Sequence, residues 1–272
     1  MVHVTGPIET TTHTARIADD IRSKIEAGSL QVGDRLPTLP DLQTAYGCSS
    51  TIAREAIRLL QQRGLVVTRQ GSGSYVRAIP RRRILRGRLI RRDPARGYIM
   101  PAAATAQEPW QTHGQPQAAT VPAPSTVADV LGINVGTPTV RRRRVTSPAG
   151  EVPFQLIDTW IHPDGVVDAP QAGAPDTGPG GYLDRLEEAG HGPMSWSERL
   201  RIRVPTADEA RLLGISSALP VAELARIGSS ARWGRPIEVT ICVIPGDRVE
   251  LMTDLDRDET ARWPTSPVIV AQ

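Results

Sequence analysis

The sequence is short of lysine, aromatics and cysteine, and each shortage removes a class of explanation. Lys24 is the one lysine among 32 basic residues, and it falls inside what reads as the first helix. Schiff-base chemistry, which needs a lysine in a site, has no other candidate. Aromatics make up 4% of the 272 residues, with a single phenylalanine, although an apolar content of 39% still suffices for cores. The two cysteines, Cys48 and Cys242, lie in segments that read as different domains. Inert thiols in a reduced compartment follow, and a cytoplasmic protein is expected. No run of 18 apolar residues occurs, so no transmembrane helix and no membrane partner are expected. No charged-then-apolar leader opens the chain, so no export signal is expected. Five histidines (His3, His13, His113, His162, His191) never stand three to five residues apart, which argues against a metal cluster. Ser195 and Asp184 make no Ser/His/Asp case. No catalytic residue, metal or cofactor is therefore assigned, and an enzyme is not expected.

Charge is what the chain has in an uneven supply. Residues 13–92 hold 16 Lys+Arg against 6 Asp+Glu, whereas residues 93–272 hold 16 against 22. One end is built to approach a polyanion and the other is not.

The strongest local pattern runs from Ile17 to Val76. Ile17, Ile21 and Ile25 recur every four residues, predicting an amphipathic first helix stopped by Gly28. Pro37 and Thr38 open a short second helix carrying Leu42 and Ala45. Tyr46-Gly47-Cys48-Ser49 turns the chain into a third helix, capped by Ser49 or Ser50 and ended by Gly64. Ile52, Ala56, Leu59 and Leu60 form its expected inward stripe, leaving Ser50, Thr51, Arg54 and Arg58 on or near the opposite surface. Such a helix suits a major groove, where side chains must reach base edges and phosphates. Two β-prone runs, Leu65 to Thr68 and Ser74 to Val76, then flank Arg69-Gln70-Gly71-Ser72-Gly73. The glycines let that hairpin tip lie close against a backbone or minor groove.

These residues resemble the winged helix-turn-helix of the GntR family of bacterial transcription regulators. The matching pieces are Gly33-Asp34-Arg35-Leu36-Pro37, Tyr46-Gly47-Cys48-Ser49, Arg54-Glu55-Ala56-Ile57, Leu60, Gly64-Leu65 and Gly71-Ser72-Gly73-Ser74-Tyr75-Val76. The resemblance implies double-stranded DNA as partner, with Arg54 and Arg58 on phosphates or bases. Ser49, Ser50 and Thr51 would read the site. Arg35, Thr38 and the wing residues Arg69, Gln70, Gly71, Ser72 and Gly73 would complete the contact. The family usually has Ser-Glu-Arg where this chain has Thr38-Leu39-Pro40, and an arginine where Ser50 stands, so relatives' operator sequences do not transfer.

Residues 1–12 read as a disordered lead-in, 13–77 as the DNA-binding domain, 78–95 as a basic linker and 256–272 as a tail. The linker either tracks phosphates through its arginines or docks Ile84, Leu85, Leu89 and Ile90 on the next domain. The Ala-, Pro-, Thr- and Gln-rich stretch 101–126 reads as a long loop or extended arm anchored by Trp110.

Residues 96–255 read as a second, α+β domain. A short helix from Val127 ends at Gly132. Strands follow at 139–146 and 152–161, with loop material from Gly165 to Gly181. A helix at 182–189, a strand at 196–204 and a Thr206-capped helix to Leu213 come next. A hairpin pairs 221–229 with 236–244, and 249–253 is the last strand. This half is similar to the UTRA effector-binding domain of the HutC branch of the GntR family, a mixed α/β, chorismate-lyase-like fold. The carriers are Ala128-Asp129-Val130-Leu131-Gly132, Arg142-Arg143-Arg144-Val145, Gly150 to Pro153, Gly181-Tyr182, Glu209-Ala210-Arg211-Leu212-Leu213 and Gly246-Asp247-Arg248. The resemblance implies an effector pocket lined by Arg142, Arg144, Tyr182 and Glu238. Strand alternation sends Arg142 and Arg144 to one face and Arg141 and Arg143 to the other. Paired guanidiniums suit an anionic ligand, although the same run also reads as a solvated strand edge. Phosphosugar-binding relatives have a serine near Gly180 and a glutamate near Ile157; this chain has neither. The expected protein is a homodimeric, effector-released repressor on a palindromic operator. The alternative is an architectural or plasmid-maintenance DNA binder whose second domain only dimerises.

Overall fold

The computed structural model describes residues 12–69, 71–77, 83–85, 89–93, 97–100, 108–261 and 263. Three helices open the chain: α1 (His13–Glu26), α2 (Leu39–Tyr46) and α3 (Ser50–Gln62). Their starts are fixed by side chains that accept from orphan amides. Thr12 caps α1 through Ala15 N at 3.3 Å, and Ser49 caps α3 through Ile52 N at 3.3 Å. Thr38 forms a reciprocal capping box with Asp41 on α2. Gly47 and Gly64 end α2 and α3 with φ of +58° and +71°.

The wing is the antiparallel pair β1 (Val66–Arg69) and β2 (Gly73–Val76). Arg35 bridges to Tyr75, and Leu36 N donates to Ser74 O at 2.8 Å, so residues 33–36 add a third edge. One core closes over all of this: Ile17, Ala18 and Ile21 of α1, Leu36, Leu42 of α2, Ala53, Ala56, Ile57 and Leu60 of α3, and Val66 and Val76 of the wing. The stripe on α3 differs from expectation. Ala53 and Ile57 are fully inside, while Ile52 and Leu59 are only partly buried. The helix is rotated toward its small residue Ala53, where α1 packs against it.

The rest of the chain contributes β3 (Arg83–Leu85), β4 (Arg91–Asp93), β5 (Gly97–Ile99), β6 (Trp110–Pro122), α4 (Ser125–Leu131), β7 (Pro138–Pro148) and β8 (Gln155–Ile161). It continues with α5 (Pro163–Asp168), α6 (Pro170–Gly173), α7 (Gly181–Leu186), β9 (Ser195–Arg203), α8 (Ala207–Leu213), β10 (Val221–Ser230), β11 (Arg235–Pro245) and β12 (Val249–Leu251). Six strands form one antiparallel sheet in the order β6-β7-β8-β11-β10-β9. On one face α4 packs over Trp160, Ala225 and Val239, and α8 over Leu156, Val221 and Val243. On the other, α7 and Met194 pack over Ile161 and Ile237.

Three elements depart from the sequence reading. The stretch 165–181, expected as loop, includes most of α5 and all of α6, each opened by a proline at its first turn. The stretch 101–126 contains β6, a thirteen-residue edge strand, within its described part. The last strand, β12, pairs in parallel with β3 of the linker instead of joining the main sheet.

Among the described residues the linker docks through two arginines, and of its aliphatics Ile90 is half-buried. Arg83 reaches Glu108 and Glu151, with Nη2 at 2.7 and 3.1 Å, and Arg92 Nη2 reaches the buried Asp184 at 2.7 Å. Ile84 and Leu89 stay exposed. The side chain of Leu85 lies outside the described residues.

Candidate functional site

On the winged domain, Thr51, Arg54 and Arg58 are exposed along α3 at spacings of three and four residues, which places them on one stripe. Ser50 is half-buried beside them. Ser49 is exposed, but its hydroxyl oxygen is engaged as the cap of α3, and that of Thr38 as the cap of α2. A groove of about 480 Å³ opens between the start of α2, α3 and the wing, with Arg35, Thr38, Arg54, Arg58 and Gly73 in its walls. Five positions scattered over forty residues of sequence thus line one concavity.

The two arginines of α3 differ. Arg54 is exposed and makes no ion pair among the described residues. Arg58 donates twice to Glu55, through Nε at 2.9 Å and through Nη2. That pairing holds the Glu55 carboxyl below its ordinary range, its hydrogen bonds to Arg58 being the main cause. Arg58 must exchange Glu55 for any phosphate, whereas Arg54 is free to act as it stands.

On the wing, the Arg69 guanidinium stacks 4.8 Å from the Tyr75 ring, and Ser72 Oγ meets the Tyr75 hydroxyl at 2.6 Å. Gly73 has φ +111°, and a Cβ there would stand 2.9 Å from Arg35 Nε. Glycine is required for this backbone, and a side chain there would also push the Arg35 guanidinium aside. Gly71 and Ser72 are exposed at the tip, and Gln70 lies outside the described residues.

In the second domain, alternation along β7 separates the arginine run. Arg143 pairs with Asp158 and Asp208 at 2.6 and 2.7 Å, and Arg141 lies 5.7 Å from the Trp160 ring, both on the face that carries α4 and α8. Arg142 and Arg144 point the other way, as expected, but their surroundings differ. Arg142 is spent on backbone carbonyls of Ala172 in α6 and of Ala174 and Pro175 just beyond it, with Nη2 3.1 Å from Pro175 O. Burial, and then the charge of Arg144, hold it below the usual guanidinium range. Arg144 is exposed and is close enough to act electrostatically on Tyr182.

Tyr182 and Glu238 are brought together. The Tyr182 hydroxyl lies 3.4 Å from Glu238 Oε2 and 3.2 Å from Thr240 Oγ1, and Thr240 donates to Glu238 at 3.0 Å. Thr159 Oγ1 joins Thr240 at 2.8 Å. Glu238 is wholly inaccessible, and its Oε1 has no partner among the described residues. Burial pushes its carboxyl up to about 7, with Thr240, the charge of Arg226 and Tyr182 opposing. Burial and the nearby Glu238 also raise the Tyr182 hydroxyl. Thr159, Thr240 and Arg226, the last paired with Glu198 at 2.7 Å, belong to this polar patch and were missed from the sequence. Alternation along β8 and β11 was the available signal: Thr159 shares a face with Ile157 and Ile161, and Thr240 with Glu238.

Gly180 has a physical reason to lack a side chain. A Cβ there would fall 1.9 Å from Asp184 Oδ2, the carboxylate held by Arg92, and the Gly180 carbonyl backs onto Gly97. A side chain at Gly180 would displace that carboxylate.

Comparison with known proteins places these parts. A family model described as bacterial regulatory proteins, gntR family, matches residues 13–76, and the UTRA domain model matches residues 117–250. Together the two cover well over half of the chain. The chain belongs to the GntR family. It is a DNA-binding transcription regulator with a UTRA domain behind its winged helix, and not an enzyme. Similar proteins include the HTH-type transcriptional regulator SCO4628 of Streptomyces coelicolor, 28% identical over 253 residues, which are 90% of this chain and 93% of that one. The mannosyl-D-glycerate transport/metabolism system repressor MngR of Escherichia coli is 45% identical over 62 residues, 23% of this chain and 26% of its own. A crystal structure of a GntR-family transcriptional regulator superposes with TM-score 0.55 at 29% identity, covering 91% of this chain and 98% of the other. Among the described residues no helix of this GntR-family chain is long and apolar enough to cross a membrane.

Proposed function

We propose that this GntR-family protein is a ligand-responsive repressor. Two copies grip a palindromic operator and let go when a small anionic effector enters the UTRA domain. The observation that carries the DNA half is the exposed stripe Thr51, Arg54, Arg58, set beside a groove whose other walls bring Arg35 and the wing into reach. Arg54 and Arg58 meet phosphates or base edges, and the positive end of α3, capped by Ser49, faces the backbone. The wing tip at Gly71 to Gly73 rests in the flanking groove. The name of MngR, a repressor, supports the direction of control.

The effector half rests on the polar patch of Tyr182, Glu238, Thr240 and Thr159, with Arg144 exposed at its margin as the anion contact. Ligand binding there lowers DNA affinity by favouring a second arrangement of the two domains.

Selection of bound fragments from random duplex DNA, followed by fluorescence anisotropy on the recovered site, tests the reading. Arg54→Ala is expected to weaken binding and to flatten the log–log salt dependence by about 0.9 if the contact is a phosphate. The fold should persist, because the side chain is exposed and unpaired. Binding and salt slope equal to the parent's would remove Arg54 from the interface. Arg144→Ala should keep DNA affinity and lose release by any metabolite that raises the parent's melting temperature. Normal release by that variant would misplace the pocket.

A further inference from the structure

The winged domain meets the UTRA domain at a point the DNA and effector readings leave unused. Arg77, the residue after the wing, is buried, with 8% of its surface exposed. Its Nη1 donates to Gly64 O at 3.3 Å and to the carboxylate of Asp247. Gly64 is the left-handed residue that ends α3, so one guanidinium holds both the tail of that helix and the second domain. The packing is close. A Cβ at Gly64 would lie 3.1 Å from Leu219 Cδ1, 3.2 Å from Arg77 and 3.3 Å from Asp247.

Asp247 is itself firmly placed. It sits in the turn between β11 and β12, where Gly246 N donates to Pro220 O at 2.9 Å and a Cβ on Gly246 would press on that carbonyl. Its neighbour Arg248 is almost wholly buried and donates to Pro153 O. The Arg248 carbonyl accepts from Arg83 N at 2.8 Å, tying the linker strand β3 to the same turn. β11 leads into this turn directly from Glu238 and Thr240. The strand that carries Glu238 and Thr240 thus ends two residues before Asp247.

We propose that Arg77 and Asp247 form the latch that orients α3 relative to the UTRA domain, making both positioning residues for DNA binding although neither touches DNA. The consequence for DNA rests on the DNA-binding reading above, while the latch itself does not.

Arg77→Gln, Asp247→Asn and the double variant test it in the full-length protein without any effector. Each single change is expected to speed amide hydrogen exchange at residues 63–66 by about tenfold. Each should also enlarge the radius of gyration in small-angle scattering, and the double variant should enlarge it no more than either single, since all three break the same contact between the domains. Exchange and scattering like the parent's, or single effects that add in the double, would overturn the latch. If Asp247→Asn disturbs its own turn, the scattering of Arg77→Gln decides, because exchange in that variant also registers the lost bond to Gly64 O. An opened latch with unchanged affinity for the selected DNA would overturn the positioning role. A parent that selects no DNA would refute the proposed function and leave the latch to the scattering.

Discussion

Glu238→Gln offers a test whose size follows from the buried carboxyl. Burial lifts its pKa from an ordinary 4.5 to about 7, so the folded domain holds this proton more tightly than the unfolded chain does. The stabilisation is complete below about 4.5 and is lost as pH rises through about 7, a total of about 3 kcal/mol. For a domain of this size that is a fall in Tm of about 6–12 °C. Glutamine keeps the shape and cannot ionise. The variant should therefore match or trail the parent at pH 4.5 and exceed it at pH 8. His162 and His191 act in the opposite sense. Burial lowers both, so their contribution is present above the ordinary 6.5 and lost as pH falls through their folded values. Both remain in the variant, so the parent-minus-variant curve isolates Glu238. All five tryptophans lie at or beyond Trp110, four of them in the second domain and Trp263 exposed beyond it, so changes in their fluorescence report the second domain and not the winged one. A difference curve that is flat between pH 4.5 and 8 would refute the argument.

Other outcomes follow from single contacts. Leu60→Ala removes a fully buried side chain and should cost the winged domain about 2–5 kcal/mol, visible in helical circular dichroism and absent from tryptophan fluorescence. Gly73→Ala forces a side chain to a φ of +111° and against Arg35, costing the wing at least about 1–2 kcal/mol. Anisotropy titrations should show weaker operator binding by that variant. Thr206→Ala dismantles the capping box with Glu209 on α8 and should lower stability of the second domain by about 1 kcal/mol in urea titrations followed by tryptophan.

The winged helix was legible because its signals are local. An isoleucine every fourth residue, a Thr or Ser before each helix, and glycines at two helix ends and the wing need no distant partner to be read. The same holds for the β10–β11 hairpin, bounded by Trp233-Gly234-Arg235. What stayed hidden depends on long-range pairing. β6 carries Gln111, Gln117 and Ala119 on one face and Thr112, Ala118 and Thr120 on the other, so small and polar residues mix on both, no apolar alternation marks it, and only β7 beside it makes it a strand. β12 and β3 are more than 160 residues apart and reveal nothing separately. In the candidate sites, side-chain periodicity put Arg142 and Arg144 on one face. Nothing in the spacing told that Arg142 would be taken up by carbonyls after α6. Gly246-Asp247-Arg248 was visible as a motif, but its partner Arg77 bears no mark except its place after the wing.

Among the described residues, the apolar interior of the first domain is drawn from Ile17 to Val76. A reader whose oil is all its own is portable. Residues 12–77 joined to an unrelated dimeric scaffold at suitable spacing should still find the same DNA, but without obedience to the original chemical signal.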